Sequence, residues 1–237
     1  MPNVVVFAGP IELKPPFKSI DWEGKETVIV PVPGSGSANF ANLGDSLVDG
    51  QGRILPRLLA KFAPKVGSID KLALCAYSAG HGLLNKIGQV VEDVRAVNAV
   101  VLNDACFVGD GRPAPVGLTN WAAKGAAGTG LFVATSSRGD GATYQDGTTS
   151  VGLVWAAAQS LVGTTPRSLP PRPPVDVGTW QRLGKLAFWG DIPTLTHGQH
   201  HDYAPVVWQA YLAPYLAETP LDELLAYLFP LKKSKVG

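Results

Sequence analysis

KLALCAYSAGHGLL, residues 71–84, decides the fold. Lys71 to Tyr77 has the apolar content of a buried strand, and from near Ala79 the chain reads as a helix. Between the two stands one serine among small neighbours, in the order Ala76, Tyr77, Ser78, Ala79, Gly80. A strand that turns at once into a helix needs a sharp bend. Such a bend holds its central residue in a strained backbone and pushes that side chain out above the sheet. The residues two before and two after must then be small, as Ala76 and Gly80 are. The start of a helix also directs free N–H groups and the positive end of its dipole at the same spot.

Outward from this point, short β-rich runs alternate with longer helical stretches. This is the pattern of an α/β fold, a three-layer sandwich with a mostly parallel central sheet flanked by helices. Upstream, NVVVFAG and ETVIVPVPG are apolar on successive residues, as strands buried on both faces should be, and both end in glycine. The run SGSANFANLGDSLVDG reads as a polar loop, and Arg53 to Phe62 as a surface helix that tolerates Pro56 near its start. Downstream come the strand NAVVLND, a short helix around Asn120 to Ala127, the strand GLFVATSS, a helix from Val151 to Val162, the strand KLAFWGD and a final helix PVVWQAYLAPYLAE. Residues 163–179 are too rich in proline for a helix or a central strand and read as an extended surface segment. No internal repeat is present.

The 237 residues, 46% of them hydrophobic, suit one well-buried domain spanning 1–237. Lys plus Arg total 20 against 19 Asp plus Glu, so no strong field favours nucleic acid or an anionic membrane. A small or neutral substrate is the better fit. The start MPNVVVFAGP lacks a basic region before its apolar stretch, and that stretch is too short for a signal or a membrane span. A soluble, cytoplasmic protein is therefore expected. Cys75 and Cys106 fall on two neighbouring predicted strands and read as small buried apolar residues rather than a disulfide.

A serine hydroxyl needs a histidine to take its proton and a carboxylate to orient that ring. Of the four histidines, His81 is tied to the helix that follows Ser78, and the others cluster in THGQHHD after the last predicted strand. Two acids are placed to serve: Asp104, which ends VVLND, and Asp140, in the glycine-rich loop after the next strand, with Asp146 a further position. An acid at the end of a strand is held more firmly than one in a loop, which favours Asp104.

The run AYSAG resembles the nucleophile elbow of the α/β-hydrolase superfamily, with Ala76 in the first glycine position. The order of elements follows that family over nearly the whole chain. The resemblance implies an α/β-hydrolase fold and a serine esterase or lipase-like enzyme. Ser78 would be the nucleophile, His201 the base with His197 or His200 as alternates, and Asp104 or Asp140 the acid. Ala79 N–H would be one oxyanion donor. The second normally comes from an early loop; Pro10 has no N–H, so Ile11 or, on the second loop, Ser35 or Gly36 would supply it. The substrate implied is a small-molecule or polymeric ester, and no cofactor is implied.

Each feature has a plainer reading. Ser78 would serve as a helix N-cap, Asp104 as an acceptor of loop N–H groups, and Asp140 as a turn aspartate. The set His197, His200, His201 and Asp202 would suit a metal ion, although the spacing is not that of H-E-x-x-H. Trp121, Tyr144, Trp155, Trp180, Trp189 and Trp208 would line an acyl pocket or, more commonly, pack in the core. As a whole, the chain would be a catalytically silent binding protein of the same fold, or an amidase or peptidase using the same triad.

Overall fold

The computed structural model describes residues 1–9, 15–106, 113–137, 147–169, 179–192 and 203–218. The chain begins β1 (Asn3–Gly9), α1 (Pro15–Lys18), β2 (Thr27–Pro33), α2 (Ser37–Ser46), α3 (Leu55–Phe62) and β3 (Leu72–Tyr77). A single 3-10 turn, Ser78–Gly80, leads into α4 (His81–Ile87), α5 (Val91–Ala96), β4 (Ala99–Asn103), α6 (Val116–Ala127), β5 (Leu131–Ser137) and α7 (Gly147–Val162). There follow β6 (Arg167–Leu169), β7 (Thr179–Leu183), β8 (Ala187–Ile192) and a last helix made of α8 (Tyr203–Val207), a π-helical stretch (Trp208–Leu212) and α9 (Ala213–Leu216).

The eight strands form one sheet in the order β2-β1-β3-β4-β5-β8-β7-β6, parallel from β2 to β8 and antiparallel over β8, β7 and β6. Side chains along a strand alternate between faces, and both faces here are apolar. Val4, Val6 and Ala8 of β1, Leu72, Leu74 and Ala76 of β3, and Val100 and Leu102 of β4 enter one core with α2, α3, α4, α6 and α7. The residues between them, Val5, Phe7, Ala73, Cys75, Tyr77, Ala99 and Val101, enter a second core with Phe17 of α1 and the last helix. Crossovers between parallel strands are right-handed. The step from β1 to β2 runs one way along the sheet and the steps through β3, β4 and β5 run the other, which puts α1 opposite α2–α7.

Several expectations need correction. Ser37–Ser46, expected within a polar loop, is helical: Phe40, Leu43, Gly44 and Leu47 recur at helical spacing and turn inward. The α6 helix begins at Val116, a turn before Asn120, after Pro115 in an extended conformation. Both β7 and α5 were absent from the sequence reading. The proline-rich segment does contribute a strand, β6, but only at the edge and only three residues long. Cys106 lies beyond the end of β4 rather than on it; both cysteines are free and buried. Trp121, Trp155, Trp180 and Trp208 are core residues. Among the described residues, no helix is long and apolar enough to cross a membrane.

Asp93 of α5 shows how the helical layer is tied together. It is buried, and its Oδ2 accepts the N–H groups of Ile54 at 2.7 Å and Leu55 at 3.3 Å, capping the start of α3 from a distance. Burial raises its carboxyl above the usual range against the opposing effect of those two bonds. Asp93→Ala leaves two N–H groups unpaired and is expected to cost about 2–3 kcal/mol in denaturant unfolding. Asp93→Asn keeps an acceptor and should cost less. Because the folded-state pKa is raised, wild type binds a proton more readily folded than unfolded. Its stability relative to Asp93→Asn should therefore rise as pH falls through that pKa.

Candidate functional site

The chain runs from β1 to β2 on one side of β1, then crosses back to β3 on the other. Sheets of this kind open a crevice above the carboxyl ends of the two strands where the direction reverses, here β1 and β3. Ser78 is the first residue beyond β3.

Tyr77 keeps extended angles, φ −120° and ψ 132°, and is itself the N-cap of the turn that follows. Ser78 then adopts φ 49°. Positive φ is uncommon outside glycine and costs on the order of 1–3 kcal/mol where the surroundings enforce it. The N-cap position of this turn is thus Tyr77, whose side chain makes no capping bond, and Ser78 is the first residue inside the turn. Ser78 and Ala79 are each half-buried, while Gly80 is buried.

Two close approaches fix the bend. A methyl group on Gly80 would overlap the backbone carbonyl of Ala8 on β1, and one on Gly82 would overlap the carbonyl of Ser37 at the start of α2. Both obstacles are backbone and cannot swing aside. Gly80→Ala is accordingly expected to cost about 3 kcal/mol or more, read as a lower midpoint of chemical unfolding. The bend that sets the position of Ser78 would be lost with it.

His81 turns back on the bend. Its Nδ1 lies 2.9 Å from the carbonyl oxygen of Ser78, and the ring is buried. A carbonyl can only accept, so Nδ1 carries the proton and donates. The ring therefore pins the peptide that follows Ser78. The sequence had marked His81 only as unsuited to be the base; its tethering role comes from its position three residues on, at the first residue of α4.

Asp104 is the residue beyond β4, next to β3. In the register of those strands Tyr77 pairs with Asn103, so Ser78 and Asp104 are each one step past the same pair. Adjacent strands lie about 4.8 Å apart. Asp104 also has positive φ, 45°, which makes these two residues half of the four such non-glycine positions among the described residues. Its N–H donates to the Thr135 carbonyl at 3.0 Å and lies 3.3 Å from the Thr135 hydroxyl. The aspartate is buried, 2% exposed, over the polar ends of β4 and β5, where Asn103, Thr135 and Ser136 are buried as well. Ser136 accepts the indole N–H of Trp189 at 3.0 Å.

The preceding Asn103 accepts the indole N–H of Trp208 at 3.0 Å. Trp208 opens the π-helical stretch and packs edge-on against Phe7 and Phe17, with ring centres 5.3 and 4.9 Å away. Wide turns of this kind often mark functional positions within helices. This one docks the last helix onto the end of β4, at the residue before Asp104. The helix starts at Tyr203, directly after the histidine cluster. Sequence reading found neither Asn103 nor the role of Trp208.

Of the other expected site residues, Ile11, Asp140, Asp146, His197, His200, His201 and Asp202 lie outside the described residues. The alternative donors Ser35 and Gly36 are exposed after β2, just before the start of α2 that packs against Gly82. Burial pushes the Cys106 thiol up to about 12 and Cys75 well above the ordinary thiol range. Neither is a thiolate nucleophile near neutral pH. Scanned against models of known protein families the chain matches none, and a search of curated proteins finds no significant match.

Proposed function

We propose that the protein is a serine hydrolase of the α/β-hydrolase type that cleaves carboxylic esters through an acyl-enzyme. One observation carries the reading: Ser78 stands at φ 49° directly beyond the carboxyl end of a buried central strand, at the point where strand order reverses. A backbone gains nothing from strain at a serine that only packs. Such strain is characteristic of residues whose side chain must be presented to a ligand.

In this mechanism Ser78 Oγ attacks the ester carbonyl carbon while His201 takes its proton. The resulting oxyanion is stabilised by the Ala79 N–H and a second donor from the loop after β1, Ile11 in our reading. Collapse of the intermediate breaks the bond to the alcohol, which leaves with the proton from His201. Water, deprotonated by the same histidine, then releases the acid and restores Ser78. Asp104, with Asp140 the alternative, accepts the other ring N–H of the histidine and stabilises the imidazolium. The same machinery would act on an amide. Esters are preferred here because ester cleavage is the commonest chemistry of this scaffold, an argument by analogy.

A fluorophosphonate probe tests the central claim. Stoichiometric labelling of wild type and none of Ser78→Ala is expected. No labelling of wild type, or equal labelling of both, would overturn the hydrolase reading and favour a binding protein built on the same fold. A series of p-nitrophenyl esters of graded chain length then reads acyl preference. Turnover of long-chain as well as short-chain esters is the expected result.

A further inference from the structure

The antiparallel margin of the sheet carries a feature that neither the fold nor the proposed reaction uses. In the β6/β7 pair Arg167 stands directly across from Arg182. Directly opposed residues project to the same face with Cβ atoms about 4.5–5.5 Å apart, and like charges in that position are destabilising. Trp180 and Leu169, two pairs along and therefore on the same face, pack into the core under the last helix, so the two arginines project at the rim of that face. Arg182 pairs with Phe188 near the start of β8. The arginines therefore sit at the end of the sheet opposite Ser78.

No carboxylate answers them among the described residues: the ion pairs there engage Arg53, Lys71 and Lys86. The Nε of Arg182 is fully buried and has no hydrogen-bond partner among the described residues. Burial, and then the facing Arg167, push the Arg182 guanidinium below its ordinary value. Exposed basic residues on an edge strand do discourage pairing with other sheets. That explains Arg167 and leaves a buried, unbonded Arg182 donor unexplained. The two side chains border a recess of about 570 Å³ whose other walls are Thr164, Thr165, Pro166 and Gly184.

We propose that this recess binds a phosphate group, held between Arg167 and Arg182 with the hydroxyls of Thr164 and Thr165 as further donors. Two guanidinium groups match a dianion in charge, and their planar forks match phosphate oxygens in geometry. A carboxylate would leave half the charge uncompensated. A nucleic acid would require a broad basic surface, whereas the chain's net charge is +1. Partner chemistry is thus a single phosphate, free or as the terminal group of a phosphomonoester.

Isothermal titration of the full chain with inorganic phosphate and with glycerol phosphate, at constant ionic strength, tests the site. Wild type and Ser78→Ala are expected to bind equally, because the site is independent of the proposed hydrolase chemistry. Arg182→Gln and Arg167→Ala should each weaken binding about ten- to hundredfold. Arg167 is exposed, so its variant tests the site even if Arg182→Gln fails to fold. Affinity should tighten as pH rises through about 6, where a phosphomonoester becomes a dianion. Binding of both ligands identifies phosphate itself as sufficient; binding of glycerol phosphate alone identifies a phosphorylated larger molecule as the ligand. Equal affinity in wild type and Arg167→Ala, or acetate binding as tightly as phosphate, overturns the proposal.

Discussion

Ser78→Gly is expected to make the protein inactive and more stable at once. Removing the nucleophile of a serine triad lowers kcat by about 10⁶-fold, so hydrolysis of an activated ester should fall to background. Stability moves the other way for a reason visible in the backbone. Ser78 is held at φ 49°, and glycine occupies that region without a Cβ penalty. Relief of on the order of 1–3 kcal/mol of strain exceeds the roughly 0.5–1 kcal/mol of extra chain entropy that a glycine brings to the unfolded state. The net gain in an unfolding titration should be up to about 2 kcal/mol. Ser78→Ala keeps the strain and should change stability little while losing activity equally. A capping serine would behave differently: alanine would cost about 1 kcal/mol and glycine a few tenths. A loss of stability in Ser78→Gly, with ester hydrolysis intact, would return the residue to that structural role.

Asp104→Asn is expected to lower kcat by about 10⁴-fold with little change in KM. An asparagine of the same shape keeps the packing and offers the histidine the wrong hydrogen-bonding partner. The buried seat of Asp104, one step past the Tyr77–Asn103 pair, gives the carboxylate a fixed direction. The matched variant Asp140→Asn should retain most activity. If the large loss appears in Asp140→Asn and Asp104→Asn stays near wild type, the acid is Asp140. The buried aspartate would then be a turn-former, which a residue tolerant of positive φ can be.

What could be seen in the chain before folding follows from the range of the interactions involved. Strands β1, β3, β4 and β5 were legible because burial on both faces demands unbroken apolar runs. The demands of the bend at Ser78 are met within five residues, so AYSAG was legible too. The α2 helix was not, since Asn39, Asn42 and Gly44 disfavour a helix and only packing overrides them. Gly44 is required there because a Cβ would come within 2.9 Å of the Lys86 Cβ on α4. The sequence TWQRL of β7 is too mixed to announce a strand and becomes one by pairing with β8 around Gly184, at φ 59°. The bond between Trp208 and Asn103 joins residues 105 positions apart. No local pattern could point to it.

Among the described residues β2 has no neighbour on its outer side. Pro31 and Pro33 lie two residues apart and are exposed, so their missing N–H groups fall on the same side of the strand. Since β1 occupies the other side in unbroken register from Thr27 to Pro33, that side is the open one. An incoming strand would find acceptors there without the donors needed to complete a ladder. At the opposite margin β6 offers only three residues. A parallel sheet this apolar would otherwise be a template for polymerisation, and its two borders are both built to refuse another strand.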